Sequence, residues 1–166
     1  MADPKPVLNA AVVTVSDSCA RGERQDASGP AVAALLQELA FSVIVREVVP
    51  DDEIKIQNLL IRLAREVPLI VTAGGTGIGA RDVTPEATAK VCDRLLQGVA
   101  EKMRSDGMKK TPFAALSRGV CGVRGKSLIL NLPGSPKGAR ESLEAVANLL
   151  PHAIELLGGK MEHNAT

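Results

Sequence analysis

A short apolar run that leads directly into a glycine-rich loop is the feature that most restricts how this chain folds. Residues 69–73 are nearly all apolar, which is typical of a strand buried on both faces. Four glycines lie within the next six residues, where they let the backbone adopt positive φ and approach a ligand closely. Asp82 then precedes a predicted helix, with Thr84 as its N-cap and Pro85 in its first turn. The stretch predicts a strand, an anion-binding loop and a helix.

The rest of the chain alternates between strand-like and helix-like patterns. Strands are predicted at residues 7–16, 41–49, 69–73 and 127–132, with a smaller one at 121–125. Helices are predicted from residue 29, after residue 52, over 84–108 with a break near Gly98, at 111–118, and from Ser135 to 157 with a kink at Pro151. Strands alternating with helices of about a dozen residues indicate right-handed βαβ units. The expected fold is an α/β domain with a mostly parallel sheet covered on both faces.

Composition argues against several classes of protein. A net charge of +1 and the absence of Trp and Tyr give no support for binding to nucleic acid. The three cysteines are widely spaced, without a zinc pattern, and are expected to be reduced thiols. No apolar run approaches the ~20 residues of a membrane span, and the first six residues lack the apolar core of a signal peptide. We therefore expect a cytoplasmic protein, with a loose lead-in over residues 1–6 and a frayed tail after Gly159.

Polar residues follow four of the predicted strands. These clusters are Ser16-Asp17, Pro50-Asp51, the loop from Gly74 to Asp82, and Pro133-Gly134-Ser135. The carboxyl ends of parallel strands lie at one edge of a sheet, where α/β proteins bind their ligands. We therefore expect the four clusters to form one crevice.

Each cluster also has a purely structural interpretation. Asp51 could simply cap the helix that follows it, and Ser135 has the position of an N-cap. Asp82 could hydrogen-bond to its own backbone in a turn, and Ser16-Asp17 could form an Asx-type turn. The irregular loop over residues 19–27 has no assignable role.

The glycine loop does not match the common phosphate-binding motifs well. The P-loop pattern G-x-x-x-x-G-K-[ST] does not occur. Residues 75–80 fit a loose G-x-G-x-x-A dinucleotide pattern, but the helix begins later, and Glu101, at the distance expected for the ribose-binding acid, lies in a predicted helix. The two histidines, His152 and His163, lie far along the chain from the clusters, which disfavours a Ser-His-Asp triad or a His-ligated zinc site. Two carboxylates beside an anion-binding loop instead suit a Mg²⁺-assisted reaction at phosphate, with Asp51 and Asp82 as candidate ligands.

A family resemblance rests on five motifs in order along the chain. These are Thr14-Val-Ser-Asp17, Val49-Pro-Asp51, Thr72-Ala-Gly-Gly-Thr-Gly77 with Arg81-Asp-Val-Thr-Pro-Glu-Ala87, Thr111-Pro-Phe-Ala-Ala-Leu-Ser-Arg118, and Asn131-Leu-Pro-Gly134. Together they resemble the molybdopterin adenylyltransferase family, which includes bacterial Mog and MoaB proteins and the G domain of gephyrin. The similarity extends from about Leu8 to Leu157, so we expect one domain over residues 1–166 with this core. Ala73 and the trio 78–80 depart from the usual family residues.

The resemblance implies a three-layer α/β/α sandwich, usually trimeric, that adenylylates molybdopterin. In that reaction the terminal phosphate of molybdopterin attacks the α-phosphate of ATP and pyrophosphate leaves, ahead of molybdenum insertion by a further protein. The resemblance makes Asp51 and Asp82 the essential, Mg²⁺-binding acids and Ser117 the pterin-side serine. The nucleotide is expected along Ser16 and Asp17, along Gly74, Gly75, Thr76 and Gly77, and along Pro133, Gly134 and Ser135. The alternatives are a non-catalytic pterin- or nucleotide-binding scaffold or carrier of the same fold, and a nucleotidyltransferase with another acceptor.

Overall fold

The computed structural model describes residues 5–159, so most of the expected lead-in and the expected tail lie outside the described residues. A six-stranded sheet runs through this part of the chain. Its strands are β1 (Leu8–Val15), β2 (Phe41–Val49), β3 (Leu69–Ala73), β4 (Arg94–Leu95), β5 (Cys121–Arg124) and β6 (Ser127–Leu132). The five predicted strands are confirmed, whereas β4 was not predicted.

The sheet is mostly parallel, as predicted. The strand order is β2-β1-β3-β6-β5-β4. The first four of these strands pair in parallel, and β5 and β4 complete one edge with antiparallel pairs. The carboxyl ends of β1, β2, β3 and β6 therefore lie at the same edge, which is where the four polar clusters begin.

Helices cover both faces of the sheet. They are α1 (Asp17–Ala20), α2 (Ser28–Glu38), α3 (Glu53–Leu63), α4 (Thr84–Val91), α5 (Gln97–Met108), α6 (Pro136–Val146) and α7 (Leu150–Leu157), with 3₁₀ segments at Pro112–Leu116 and Ala147–Leu149. Buried side chains of α2, α5, α6 and α7 pack on one face of the sheet, and those of α3 and α4 pack on the other. Successive residues of β1 alternate between the two cores, since Val12 belongs to the first and Val13 to the second. The expected three-layer α/β/α sandwich is confirmed.

The prediction of a helix over residues 84–108 is wrong for the middle of this range. Helix α4 ends at Val91, and the chain becomes extended at Cys92. The backbone N–H of Asp93 donates to Val123 O (2.7 Å), and that of Leu96 donates to Cys121 O (2.8 Å). These bonds to β5 satisfy backbone groups at the edge of the sheet. The helical pattern of the sequence does not reveal this pairing. Gly98, where the break was expected, lies inside α5.

Two details of the helix ends also differ from expectation. The N-cap of α4 is Val83 rather than Thr84, whose hydroxyl instead donates to Gly74 O (2.9 Å). The last predicted helix is interrupted rather than kinked, because a 3₁₀ turn separates α6 from α7 and Pro151 lies in the first turn of α7. None of the helices within residues 5–159 has the length and apolarity that a bilayer crossing requires.

Candidate active site

All four polar clusters contribute to one cavity at the carboxyl edge of the sheet. This first cavity has a volume of about 600 Å³. Of the residues predicted to form the site, seven line this cavity: Ser16, Asp51, Gly74, Gly75, Asp82, Gly134 and Ser135. The convergence expected from the parallel strands is therefore observed. Asp17 is not among the residues that line this cavity, and Thr76, Gly77 and Pro133 line a neighbouring one instead.

Asp17 and Asp51 hold each other in place across the ends of β1 and β2. The backbone N–H of Asp17 donates to Asp51 Oδ2 (3.0 Å), and the backbone N–H of Asp51 donates to Asp17 Oδ1 (3.0 Å). Arg81 donates to both carboxylate oxygens of Asp17 (2.7 and 3.0 Å) and to the carbonyl of Asp51 (3.1 Å). The two acids are thus positioned by each other's backbone and by one guanidinium group.

The two carboxyl groups differ in their electrostatics. Hydrogen bonding from Arg81 lowers the pKa of Asp17 despite its partial desolvation. Burial raises the pKa of Asp51, the hydrogen bond from the Asp17 amide opposes this, and the negative charges of Asp17 and Asp82 raise it further. The positive charge of Arg81 opposes these effects without reversing them, so the surroundings disfavour the ionised form of Asp51, and a cation bound nearby would favour it.

The start of the glycine loop requires glycine for geometric reasons. Gly74 and Gly75 have φ of +109° and +69°. A Cβ on Gly74 would lie 2.3 Å from the carbonyl oxygen of Val15, and one on Gly75 would lie 2.3 Å from the Thr84 hydroxyl. The loop also receives a backbone bond from Thr84 N–H to Gly75 O (3.1 Å). The backbone of β3 is thereby turned tightly against β1 and the start of α4.

The loop closes on Asp82. Its Oδ2 accepts a hydrogen bond from Gly79 N–H (2.9 Å), so the local turn interpretation holds for one oxygen. A Cβ on either Gly77 or Gly79 would lie 2.9 Å from that same oxygen. Since only one oxygen is engaged in this contact, the carboxylate keeps capacity for a ligand in the cavity it lines.

A second cavity of about 460 Å³ lies on the other side of Asp82. Its walls come from the glycine loop, the end of α5, the 3₁₀ segment Pro112–Leu116 and the start of α6, and they include Ser117. Phe113 and Leu116 line it although they are 75% and 51% exposed. Both cavities share Gly75, Asp82, Gly134 and Ser135. The structure thus places Ser117 away from Asp51, across this shared boundary.

Local capping explains some of these residues and not others. Ser135 is the N-cap of α6 and accepts from Gly138 N–H, as predicted, and Ser16 accepts from Cys19 N–H at the start of α1. The interpretation of Asp51 as a helix cap is wrong, because the neighbouring Asp52 caps α3. The position of Asp51 is instead set by its contacts with Asp17.

Sequence reasoning missed three residues that organise the site. Asp26 in the unassigned loop accepts from the Thr14 hydroxyl (2.7 Å) and from Gly29 N–H (3.0 Å), which ties this loop to β1 beside the first cavity. The other two are Arg81, which holds Asp17, and Arg118, which bonds to the glycine loop. Asp26 could have been found from the sequence, because it is an acid shortly before Pro30, which lies in the first turn of a predicted helix. The two arginines give no such local signal, because their partners are distant in sequence.

The fold and the crevice define an α/β domain with a cavity at the carboxyl ends of its parallel strands, which is where α/β proteins generally bind ligands. A family model described as a probable molybdopterin binding domain matches residues 11–152. The chain therefore belongs to this family of molybdopterin-binding domains.

Individual relatives agree with this assignment. A molybdopterin adenylyltransferase of Helicobacter pylori is 43% identical over 162 residues, which cover 95% of this chain and 92% of that protein. The molybdopterin biosynthesis enzyme MoaB of Thermus thermophilus has a solved structure with a TM-score of 0.88, 53% identity, and coverage of 93% of this chain and 98% of that one. The molybdenum cofactor synthesis protein cinnamon of Drosophila melanogaster is 41% identical over 150 residues, 89% of this chain but 25% of that protein.

Proposed function

We propose that this protein is a molybdopterin adenylyltransferase, which transfers AMP from ATP to the terminal phosphate of molybdopterin. The observation that carries the proposal is that two cavities meet at Gly75, Asp82, Gly134 and Ser135. Two ligands bound on either side would approach each other across one carboxylate and two segments of glycine-containing backbone. Bringing two reactants together in this way supplies much of the catalysis in group transfer. The near full-length similarity to a named molybdopterin adenylyltransferase supports the same activity.

The first cavity suits the nucleotide. Its walls combine the tight backbone turn at Gly74 and Gly75 with the start of α6 beside Ser135. Backbone N–H groups in a glycine turn and at a helix N-terminus attract phosphate. We assign ATP to this cavity along the predicted residues that line it, which are Ser16, Gly74, Gly75, Gly134 and Ser135. The other residues predicted for the nucleotide lie beside it, since Asp17 bonds to Asp51 and Thr76, Gly77 and Pro133 line the second cavity.

The second cavity suits the pterin. Phe113 and Leu116 offer apolar surface to a flat ring system, and Ser117 adds a hydroxyl to the same lining. Ligand sites commonly combine apolar walls with a few polar groups that fix orientation. We assign Ser117 to the pterin phosphate end, where the acceptor oxygen meets the nucleotide.

Asp51 in the first cavity and Asp82 at the boundary together fit Mg²⁺. Asp51 and Asp82 each use one carboxylate oxygen, Oδ2 in both cases, in a hydrogen bond to a backbone N–H. Among the described residues no group of three or more His, Cys, Asp or Glu side chains is arranged to hold a metal. Mg²⁺ characteristically takes one or two carboxylates and fills its other positions with phosphate oxygens and water. When bound, the ion would neutralise charge on the phosphates.

The reaction asks the protein for positioning rather than for covalent chemistry. A terminal phosphate oxygen of molybdopterin forms a bond to the α-phosphorus of ATP, and the bond from that phosphorus to the β-phosphate bridging oxygen breaks. Pyrophosphate leaves with the bonding electrons. In this chain, Asp82 lies where the two substrates meet, and the loop backbone orients the phosphates.

A direct assay tests the function. Purified protein is mixed with ATP, Mg²⁺ and molybdopterin, and adenylylated pterin and pyrophosphate are measured by chromatography. Formation of both products in equal amounts is the expected result. Folded protein that forms neither product would exclude the enzyme. Tight pterin binding without ATP consumption would support the scaffold or carrier alternative.

The resemblance also supports an assembly and a cellular setting. We propose a homotrimer that acts in the cytoplasm and passes its adenylylated product to a molybdenum-inserting protein. Light scattering on a sizing column should give three times the 17.3 kDa chain mass. A monomer mass at the concentration used in the assay would exclude the trimer.

A further inference from the structure

Arg118 connects the segment carrying Ser117 to the glycine loop. Its backbone N–H donates to Thr76 O (2.8 Å). Its side chain donates from Nε to Gly77 O (2.8 Å) and from Nη2 to Asp82 O (2.8 Å). The guanidinium group therefore bridges two points of the loop, the carbonyl of Gly77 within it and the carbonyl of Asp82 at its end.

Arg118 lies outside both of the cavities to which the substrates are assigned. It lines neither the first nor the second cavity, although the residues it bonds, Gly77 and Asp82, line the second. Within the described chain, the other polar side-chain contacts of residues 77–82 are the bond from Gly79 N–H to Asp82 and the bonds of Arg81 to Asp17 and Asp51. Among the described residues, Arg118 is thus the one in the segment next to Ser117 whose side chain bonds to residues 77–82.

We propose that Arg118 is a positioning residue for adenylyl transfer, holding the loop and the Asp82 carboxylate in register with the pterin-side segment. This inference rests on the proposed function. A planar group with several fixed donors can hold two carbonyls at once, which the single ammonium of lysine does not reproduce. Loss of the guanidinium group releases Asp82 from the boundary between the substrates without removing a substrate contact.

A second contact of Arg118 allows a structural role to be separated from a positioning role. Arg118 Nη1 also forms an ion pair with Glu86 in α4. Burial raises the pKa of Glu86, but the hydrogen bond from Arg118, the backbone bond and the nearby positive charges outweigh it and lower the pKa. Glu86→Gln removes this ion pair and keeps the bonds to Gly77 and Asp82. Arg118→Lys can keep an ion pair but loses the fork across the loop.

Kinetics of these two variants test the proposal. We expect Arg118→Lys to lower kcat at least tenfold while KM for ATP and for molybdopterin stays within threefold, because the binding walls remain. Glu86→Gln should keep kcat within threefold of the unaltered protein. Arg140→Lys is the matched control, since Arg140 is 39% exposed, compared with 36% for Arg118, and forms ion pairs with Glu38 and Glu144 away from both cavities. A loss of kcat in Arg118→Lys smaller than tenfold, or an equal loss in Glu86→Gln, overturns the proposal.

Hydrogen exchange gives a readout that does not depend on activity. Backbone amides of residues 76–82 should exchange at least fivefold faster in Arg118→Lys than in the Arg140→Lys control, while the amides of β1 and β6 stay unchanged. Uniform acceleration through the domain would indicate general destabilisation and would contradict a positioning role. If the unaltered protein transfers no adenylyl group, the proposed function fails, and the exchange result still decides whether Arg118 orders the loop.

Discussion

The two cavities that meet at Asp82 are built in different ways. The first lies on strand ends whose side chains are buried in the two cores, and its acid Asp51 is held by reciprocal bonds with Asp17. The second takes much of its wall from the 3₁₀ segment Pro112–Leu116, where Phe113 and Leu116 remain largely exposed. One cavity is therefore polar and anchored to the sheet, and the other is more apolar and formed by surface segments.

The difference matches the chemistry of the ligands assigned to them. Phosphate groups require backbone amides and charges at fixed positions, because electrostatic stabilisation depends on preorganised groups. A flat ring system gains mainly from apolar contact, which depends less on direction. We expect changes in the first cavity to lower turnover or folding stability, and changes in the second to weaken pterin binding.

The largest effect is expected at the shared carboxylate. Asp82→Asn should retain pterin binding and lower turnover about 100-fold, because the charge at the meeting point of the substrates is lost. Asp52→Asn is the matched control, since asparagine caps helices as well as aspartate does and Asp52 caps α3. Single-turnover rates and pterin titration measure both variants. A loss of less than about tenfold, or roughly 1.4 kcal/mol of barrier, would show that Asp82 has no metal-binding role.

The next largest effect is expected where the loop leaves β3. Gly74→Ala adds a Cβ that would meet the Val15 carbonyl and places a non-glycine residue at φ +109°. Such strain costs on the order of 2 kcal/mol, so we expect a lower free energy of unfolding and weaker ATP binding. Gly98→Ala, at a helical position with open space around it, should leave the stability equal or slightly higher. Urea unfolding compares the two, and equal stabilities would contradict the close packing of Gly74.

A smaller, selective effect is expected in the second cavity. Phe113→Ala should raise KM for molybdopterin about five- to tenfold, corresponding to roughly 1 kcal/mol of lost ring contact. Its effect on unfolding should stay within about 0.5 kcal/mol, because an exposed side chain contributes little to the core. Ile54→Ala on α3 is the control, since Ile54 is also exposed but lines neither cavity. If KM for ATP rises as much as that for pterin, the assignment of the two cavities is wrong.

The mildest effect concerns the three cysteines. Burial raises the pKa of Cys92 to about 11 and that of Cys121 to about 12, with smaller contributions from neighbouring charges, so at pH 8 both thiols stay almost fully protonated and unreactive. Cys19 lines the first cavity and is only partly buried. A thiol reagent should therefore label Cys19 first, and saturating ATP should slow that labelling several-fold. Peptide mapping measures the labelling of Cys19, with Cys19→Ser as the blank. If ATP does not slow this labelling, the assignment of ATP to the first cavity is wrong.

Much of this site follows from local sequence patterns. The run 69–73 with its glycines predicted a buried strand and a tight loop, and the alternation of strands and helices predicted that Ser16, Asp51 and Asp82 would gather at one edge. Both inferences depend only on the period of apolar residues and on the conformations that glycine allows. The cap at Ser135 is local for the same reason, because its partner Gly138 lies three residues away.

The misses share a different physical origin. Strand β4 forms because residues 93–96 find hydrogen-bond partners in β5, which lies some 25–30 residues further along the chain. Thr84 was expected to cap α4, but its hydroxyl bonds to Gly74, ten residues earlier. In each case a distant partner competes with the local preference, and the sequence pattern near the residue carries no information about that partner.

The amino-acid sequence by itself thus determined the class of fold, the edge of the sheet at which the polar clusters gather, and the acids Asp51 and Asp82 as candidates, because these depend on periodicity and on strand direction. The tertiary structure alone decided how those acids are held. The exchange of hydrogen bonds between Asp17 and Asp51, and the fork of Arg118 across the glycine loop, join residues 34 and about 40 positions apart. Such contacts exist only once the parallel strands have aligned their ends, since backbone groups with no local partner then take the nearest charged or polar group in space.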